Sequence, residues 1–141
     1  MVAWMVGAAS AADLHVQVET AEGLSETHSW ASVDTFLRRL GPRTSGKSSV
    51  EYVVSAPTSV YDAVDGAYRV ELSVCLEWTR KGKSDRWCKK EEVLAPPESA
   101  GPNVLTGSIK AKDKFEWTMR LWYTGEPPST TVPLPPEPVE E

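Results

Sequence analysis

The chain has 141 residues, enough for one domain with a real core, and its 40% hydrophobic and 25% charged content argues against a chain disordered throughout. Its formal net charge of -5 is unevenly placed: of 20 carboxylates, Glu126, Glu137, Glu140 and Glu141 sit in a terminal stretch without Lys or Arg, which leaves 16 acids against 15 bases elsewhere. A near-neutral folded part gives no global electrostatic case for nucleic acid or an anionic membrane, so nucleic acid is not expected and any such binding must come from a local patch.

Residues 1–12, MVAWMVGAASAA, are apolar and small, carry no charge and end in Ser10-Ala11-Ala12, with small side chains where a signal peptidase reads. They read as an export signal, although no Lys or Arg precedes the apolar run, and they are too short to span a bilayer. No transmembrane segment is expected. The cysteines, Cys75 and Cys88, are two in number and fit a bridge in an oxidising compartment, secreted or periplasmic.

The domain proper, 13–125, opens with Leu14, Val16 and Val18 alternating with polar residues, a strand over 14–20. Next, Val33, Phe36, Leu37 and Leu40 fall at helical spacing between a capping Ser32 and the stop Gly41-Pro42, which predicts one short helix over about 32–40. A second strand covers 49–55, with Val50, Tyr52 and Val54 on one side and Pro57 ending it.

From 68 to 93 the alternation is longest: Tyr68, Val70, Leu72, Val74, Leu76 and Trp78 share a face. If the chain reverses at Lys81-Gly82 as a two-residue turn, Arg80 faces Lys83 and the register is fixed. Leu76 then meets Trp87, Glu77 meets Arg86, and Cys75 meets Cys88 at a non-hydrogen-bonded pair, where Cα atoms approach to about 4.5 Å and suit a disulfide. A last hairpin pairs 103–111 with 115–123; a turn centred on Asp113 sets Ile109 against Trp117, Ala111 against Phe115 and Lys110 against Glu116. From Glu126 onward six prolines in sixteen residues predict a disordered, extended tail over 126–141, a tether or spacer in which Pro133-Leu134-Pro135-Pro136 could present a preordered helix to a partner. The sum is a mainly β domain, an antiparallel sandwich or half-open barrel of six to seven strands with one short helix.

No catalytic, metal or cofactor motif stands out, and no cofactor is expected. His15 and His28 are the only imidazoles, outside any metal-ligand spacing, and read as surface residues. The material for binding is better. Residues 80–90 (RKGKSDRWCKK) hold Arg80, Lys81, Lys83, Arg86, Lys89 and Lys90 against Asp85 alone, a patch for a polyanion or a device that keeps a sheet edge soluble. Trp78, Trp87 and Trp117 fall on apolar faces, whereas Trp122 beside Arg120 on a polar face, and Trp30, are the exposed candidates for stacking on a sugar. The expectation is therefore an exported, non-enzymatic binding or structural protein with a protein or polysaccharide partner. A glycan- or polyanion-binding module using Trp122, Trp30 and the basic tip is the alternative, and a small hydrolase without a motif the third reading.

Overall fold

Period-two alternation sets up nine strands in the computed structural model, which describes residues 12–45, 47–110 and 114–127. They are β1 (Asp13–Thr20), β2 (Ser25–Ala31), β3 (Phe36–Ser45), β4 (Ser48–Ala56), β5 (Ser59–Asp62), β6 (Ala67–Arg80), β7 (Lys83–Ala95), β8 (Asn103–Lys110) and β9 (Lys114–Thr124), with a 3-10 turn at Glu98–Ala100. Of the expected signal and tail, only Ala12, Glu126 and Pro127 are described; the rest of both lies outside the described residues. Ala12 is buried, and its carbonyl accepts a hydrogen bond from the Ser32 N–H at 3.1 Å.

The strands form two antiparallel sheets. One has the order β2-β1-β9-β8. In the other, β3 pairs with β4, and β6 pairs with β4 over residues 73–79, with β5 over 67–70 and with β7 along almost its whole length. Since a strand has two edges and β7 occupies one, β4 and β5 share the other, parted near Pro57. The sheets meet face to face as a sandwich. Leu14, Val16 and Val18 of β1 and Phe115, Trp117, Met119, Leu121 and Tyr123 of β9 bury one face. Val50, Tyr52 and Val54 of β4 and alternate residues from Tyr68 to Leu76 of β6 bury the other. Aromatic rings interlock across the layer: Tyr68 on Tyr123 at 5.1 Å, Trp78 on Phe115 at 5.3 Å and Tyr52 on Trp117 at 6.2 Å between centroids.

The long hairpin has the register its sequence implies, with Cys75 opposite Cys88, Leu76 opposite Trp87 and Glu77 opposite Arg86. The cysteines are bonded, their Cα atoms 4.1 Å apart. Lys81 and Gly82 both lie in the left-handed region, at φ 52° and 77°, as a two-residue turn between right-twisted strands requires.

Four expectations are corrected. The helix over 32–40 does not form: the chain is β-strand from Phe36 to Ser45. Phe36 and Leu40, four apart, share a face in a helix and in a strand alike; Val33 and Leu37, which tipped the spacing toward a helix, are 72% and 58% exposed. The count is nine strands, not six or seven, because β2, β3 and β5 lack a clean apolar alternation. Trp30 is not exposed: it is 8% accessible and stacks on Phe36 at 4.2 Å, closing the sandwich between β2 and β3.

The last hairpin keeps its faces but slips by two residues, pairing Ile109 with Phe115 and Gly107 with Trp117. The reason is steric. A Cβ on residue 107 would overlap the Trp117 indole, so the one glycine of β8 is the place where that ring fits, and this outweighs the Lys110–Glu116 pairing. Lys114 bonds Glu116 instead, at 3.1 Å.

Two predictions follow from this packing. Gly107→Ala forces the indole aside and should cost about 1–3 kcal/mol in urea unfolding. Tyr52 is buried and donates to Glu22 Oε1 at 2.7 Å. Burial first, and the Glu22 carboxylate second, hold its phenol neutral well above the ordinary range; burial does the same for Tyr68 and Tyr123. Unfolded phenols ionise near pH 10, so this contribution to stability is complete below about pH 10 and is lost as pH rises beyond it. Tyr52→Phe should flatten the fall in urea midpoint between about pH 9 and about pH 11.

Candidate functional site

The basic tract is on the longest strand pair, and the β6–β7 register decides which side of the sheet each cation takes. Arg86 and Lys90 are on the outer face with Cys88. There Arg86 Nε lies 3.5 Å from Glu77, and Lys90 Nζ lies 3.5 Å from Glu71. Arg39 of β3 bridges Glu51 at 2.9 Å and Glu77 at 3.2 Å, and the two carboxylates push its guanidinium above the usual arginine range. The outer face is thus a ladder of alternating charge rather than a positive surface.

Lys89 is on the inner face with Trp87, and its Nζ bonds Glu91 at 3.0 Å. Among the described residues, Lys81 and Lys83 of the tract have no carboxylate partner. With Arg80, Ser48, Ser84, Asp85 and the half-buried ring of Trp78, they line an open hollow of about 530 Å³ at the hairpin end.

The remaining sugar-site candidates lie apart from this end. Trp122 and Arg120 are on the outer face of the other sheet, where Arg120 bonds Glu19 at 2.8 Å. The Trp122 ring stacks on His15 at 5.3 Å and 19°. His15 is fastened by Ser29 Oγ at 2.5 Å and Thr124 Oγ1 at 2.7 Å. Trp30 is core. The structure therefore does not bring Trp122, Trp30 and the basic tip together; Trp78 is the tryptophan that joins the cations. That neighbour was readable from the hairpin register, which sets Trp78 opposite Asp85, two pairs from the turn.

A second feature was missed in the sequence. Among the described residues five strands have a free edge, β2 and β8 in one sheet and β3, β5 and β7 in the other, and unpaired backbone groups there can template another chain; β5, at four residues, is short enough to be protected by its length. On β2, Glu26 and His28 point inward opposite Val18 and Val16 and bond each other at 2.8 Å. On β3, a bulge at Gly41-Pro42 interrupts the ladder, flanked by Arg38, Arg39 and Arg43. On β7, Lys89 and Glu91 point inward opposite Val74 and Leu72. Inward charge, proline and bulge are each devices that stop edge pairing.

Strand β8, NVLTGSIK, has none of these short of Lys110 at its end. Its inward residues Leu105 and Ile109 are half-buried against the core, and its outward Val104 is 51% exposed. Between β8 and β7 the sandwich is open along a slot of about 120 Å³ lined by Leu72, Val74, Trp87, Leu105, Trp117 and Met119. At one end Asn103 Nδ2 donates to the Leu94 carbonyl at 2.8 Å and ties the two edges together. The slot is smaller than the roughly 300–1,000 Å³ of small-molecule pockets and has room for about one side chain.

Among the described residues no group of three His, Cys, Asp or Glu side chains could hold a metal, and no helix is long and apolar enough to cross a membrane. The bridge Cys75–Cys88, next to the Leu76–Trp87 pair, joins the two strands that carry both the hairpin tip and one wall of the slot. Replacing both cysteines by Ser should cost up to about 3 kcal/mol in urea unfolding. Amide exchange of residues 77–86 should rise while that of the middle of β6 stays slow.

No protein-family model, no curated protein and no solved structure matches the chain.

Proposed function

We propose that this is an exported, non-enzymatic binding protein of the periplasm or extracellular space that takes up an extended segment of a partner protein as a further strand on β8. One observation carries the reading: β2, β3 and β7 each have a device against edge pairing and β5 is only four residues long, whereas β8, beside the apolar slot, has no such device before Lys110 at its end. Strand addition draws affinity from main-chain hydrogen bonds and specificity from pockets for alternate side chains. The slot of about 120 Å³ between Trp87 and Leu105 is such a pocket, sized for one aliphatic side chain.

The chemistry of the occupant follows from the lining. Leu72, Val74, Leu105 and Met119 call for an apolar residue, and the Lys89–Glu91 pair at the rim is already neutralised, so it selects no charge on the incoming chain. The protein's own segment 126–141 is a poor occupant, because prolines at 127, 128, 133, 135, 136 and 138 remove the N–H donors that a ladder needs. The uncharged apolar segment 1–12 and the disulfide support export, since such bridges persist in oxidising compartments.

Photo-crosslinking in the native host tests the edge. A benzophenone side chain at Thr106 on β8 should give a discrete adduct with another polypeptide, and the same group at Thr27 on β2 should not. Leu105→Lys puts on β8 the inward lysine that β7 already tolerates, its stem lying along the apolar wall. It should abolish the Thr106 adduct while the disulfide and near-ultraviolet dichroism are kept. Equal adducts from both edges, or an adduct indifferent to Leu105→Lys in a folded protein, would refute the reading.

A further inference from the structure

We infer that the end of the sandwich at the β6–β7 turn is a binding site for an acidic saccharide, with Trp78 as the platform for one sugar ring and Lys81 and Lys83 as partners of its carboxylate or sulfate. This site is separate from the β8 edge and stands or falls without it.

Charge comes first. Of the basic tract 80–90, Arg86, Lys89 and Lys90 are each matched by a glutamate on the same sheet. Lys81 and Lys83 have no such partner among the described residues, so the positive potential that survives is concentrated at the turn. Lys81 sits at φ 52°, in the left-handed region where Gly, Asn or Asp is the unstrained choice for a two-residue hairpin turn. A lysine there is not explained by the turn itself, and it holds a cation beside the hollow on a fixed backbone.

The hollow has the size and shape for a ligand. Its volume of about 530 Å³ lies within the roughly 300–1,000 Å³ range of small-ligand pockets. Trp78 forms its aromatic wall and is held from behind by Phe115, ring centroids 5.3 Å apart. The hairpin is stiffened by the Cys75–Cys88 bond and by the Thr79–Ser84 hydroxyl contact at 2.9 Å, so little order has to be created on binding.

The remaining lining decides the chemistry. Asp85 faces Trp78 across the strand pair and lines the same hollow. The Asp85 carboxylate and Ser84 Oγ can accept hydrogen bonds from sugar hydroxyls. Nucleic acid needs a track of cations along its backbone and a succession of aromatic platforms. Here one ring, a few cations and an acid converge on a single hollow, and the neighbouring outer face alternates in charge. A ring with an apolar face, several hydroxyls and one or two anionic groups satisfies all of these at once.

The full-length protein is titrated by calorimetry with a galacturonate hexasaccharide, a dextran sulfate oligomer of similar length, neutral dextran and a single-stranded DNA 12-mer. At least one acidic saccharide should bind, the two arms separating carboxylate from sulfate, and the neutral sugar and the DNA should bind at least about tenfold more weakly. Lys81→Gln with Lys83→Gln should weaken that binding at least about tenfold, and Lys89→Gln with Lys90→Gln should leave it within about twofold. Trp78→Phe, which keeps an aromatic ring on Phe115, should retain the fold and lose the ligand-induced change in tryptophan emission. Failure of both acidic saccharides to bind, equal binding of the DNA, or affinity unmoved by the paired Lys81 and Lys83 changes would overturn the assignment.

Discussion

Strand β6 is the constraint on which the second sheet depends. Fourteen residues long, it carries β7 on one edge and β4 and β5 on the other, and its inward face from Tyr68 to Trp78 is the wall against which β9 packs. Because side chains alternate with a period of two, a slip of one residue against any neighbour would turn Val70, Leu72, Val74 and Leu76 to solvent and bring Arg69, Glu71 and Glu77 into the core. The turn at Lys81-Gly82 and the covalent pairing of Cys75 with Cys88 forbid that slip on the β7 side. The bridge contributes as much by fixing register as by its share of stability. Register in turn sets the sites, since it is what places Trp78 above the turn and Lys89 and Glu91 at the rim of the slot.

The charged residues belong to the same scheme. Most ion pairs on the outer faces involve side chains a third or more exposed, as in Arg86–Glu77 and Lys90–Glu71, and such pairs contribute at most about 1 kcal/mol each. Their physical weight lies in what they prevent. A lysine or glutamate aimed into the sandwich from an edge strand is tolerable while the edge is open to water and becomes costly once another strand covers it. Three edges carry such costs or a backbone break; β8 carries Leu105, Gly107 and Ile109 in the equivalent inward positions. Its glycine is explained by the Trp117 indole, and Leu105 and Ile109 pack against the core, so the inward face of β8 is apolar up to the open slot.

Much of the fold was legible in the sequence wherever alternation was long enough to exceed coincidence. The 68–93 hairpin could be registered to the residue because an apolar pair, an ion pair and a cysteine pair agreed on one turn. The edges of the sandwich were not legible in this way. β2 reads SETHSWA, a polar segment whose single large apolar residue, Trp30, gives no period, and β3 begins with Phe36 and Leu40 at a spacing that helix and strand share. In the last hairpin charge complementarity favoured one register and steric fit another, and steric fit won: an indole has nowhere to go but over a glycine, while an exposed lysine finds a carboxylate from several positions. The candidate sites were legible as composition and not as arrangement. The cations of 80–90 were visible as a run, but that Arg86 and Lys90 are matched on one face and Lys89 on the other appears only when Glu71, Glu77 and Glu91 are set in register beside them.

The two proposed surfaces meet at one residue. Phe115 supports Trp78 at the hairpin end and is the direct partner of Ile109 near the end of β8, while the next inward residue of β9, Trp117, lies over Gly107 and against Trp87 in the slot, ring centroids 5.5 Å apart. A close-packed interior gives such a row of rings few ways to move independently. Trp117 lines the slot between Leu105 and Trp87, and Phe115 lies against Trp78, so the same strand, β9, stands behind both proposed surfaces. Residues Trp117–Thr124 of that strand pair with β1 and residues Lys114–Leu121 pair with β8, so both its edges are held within the sheet.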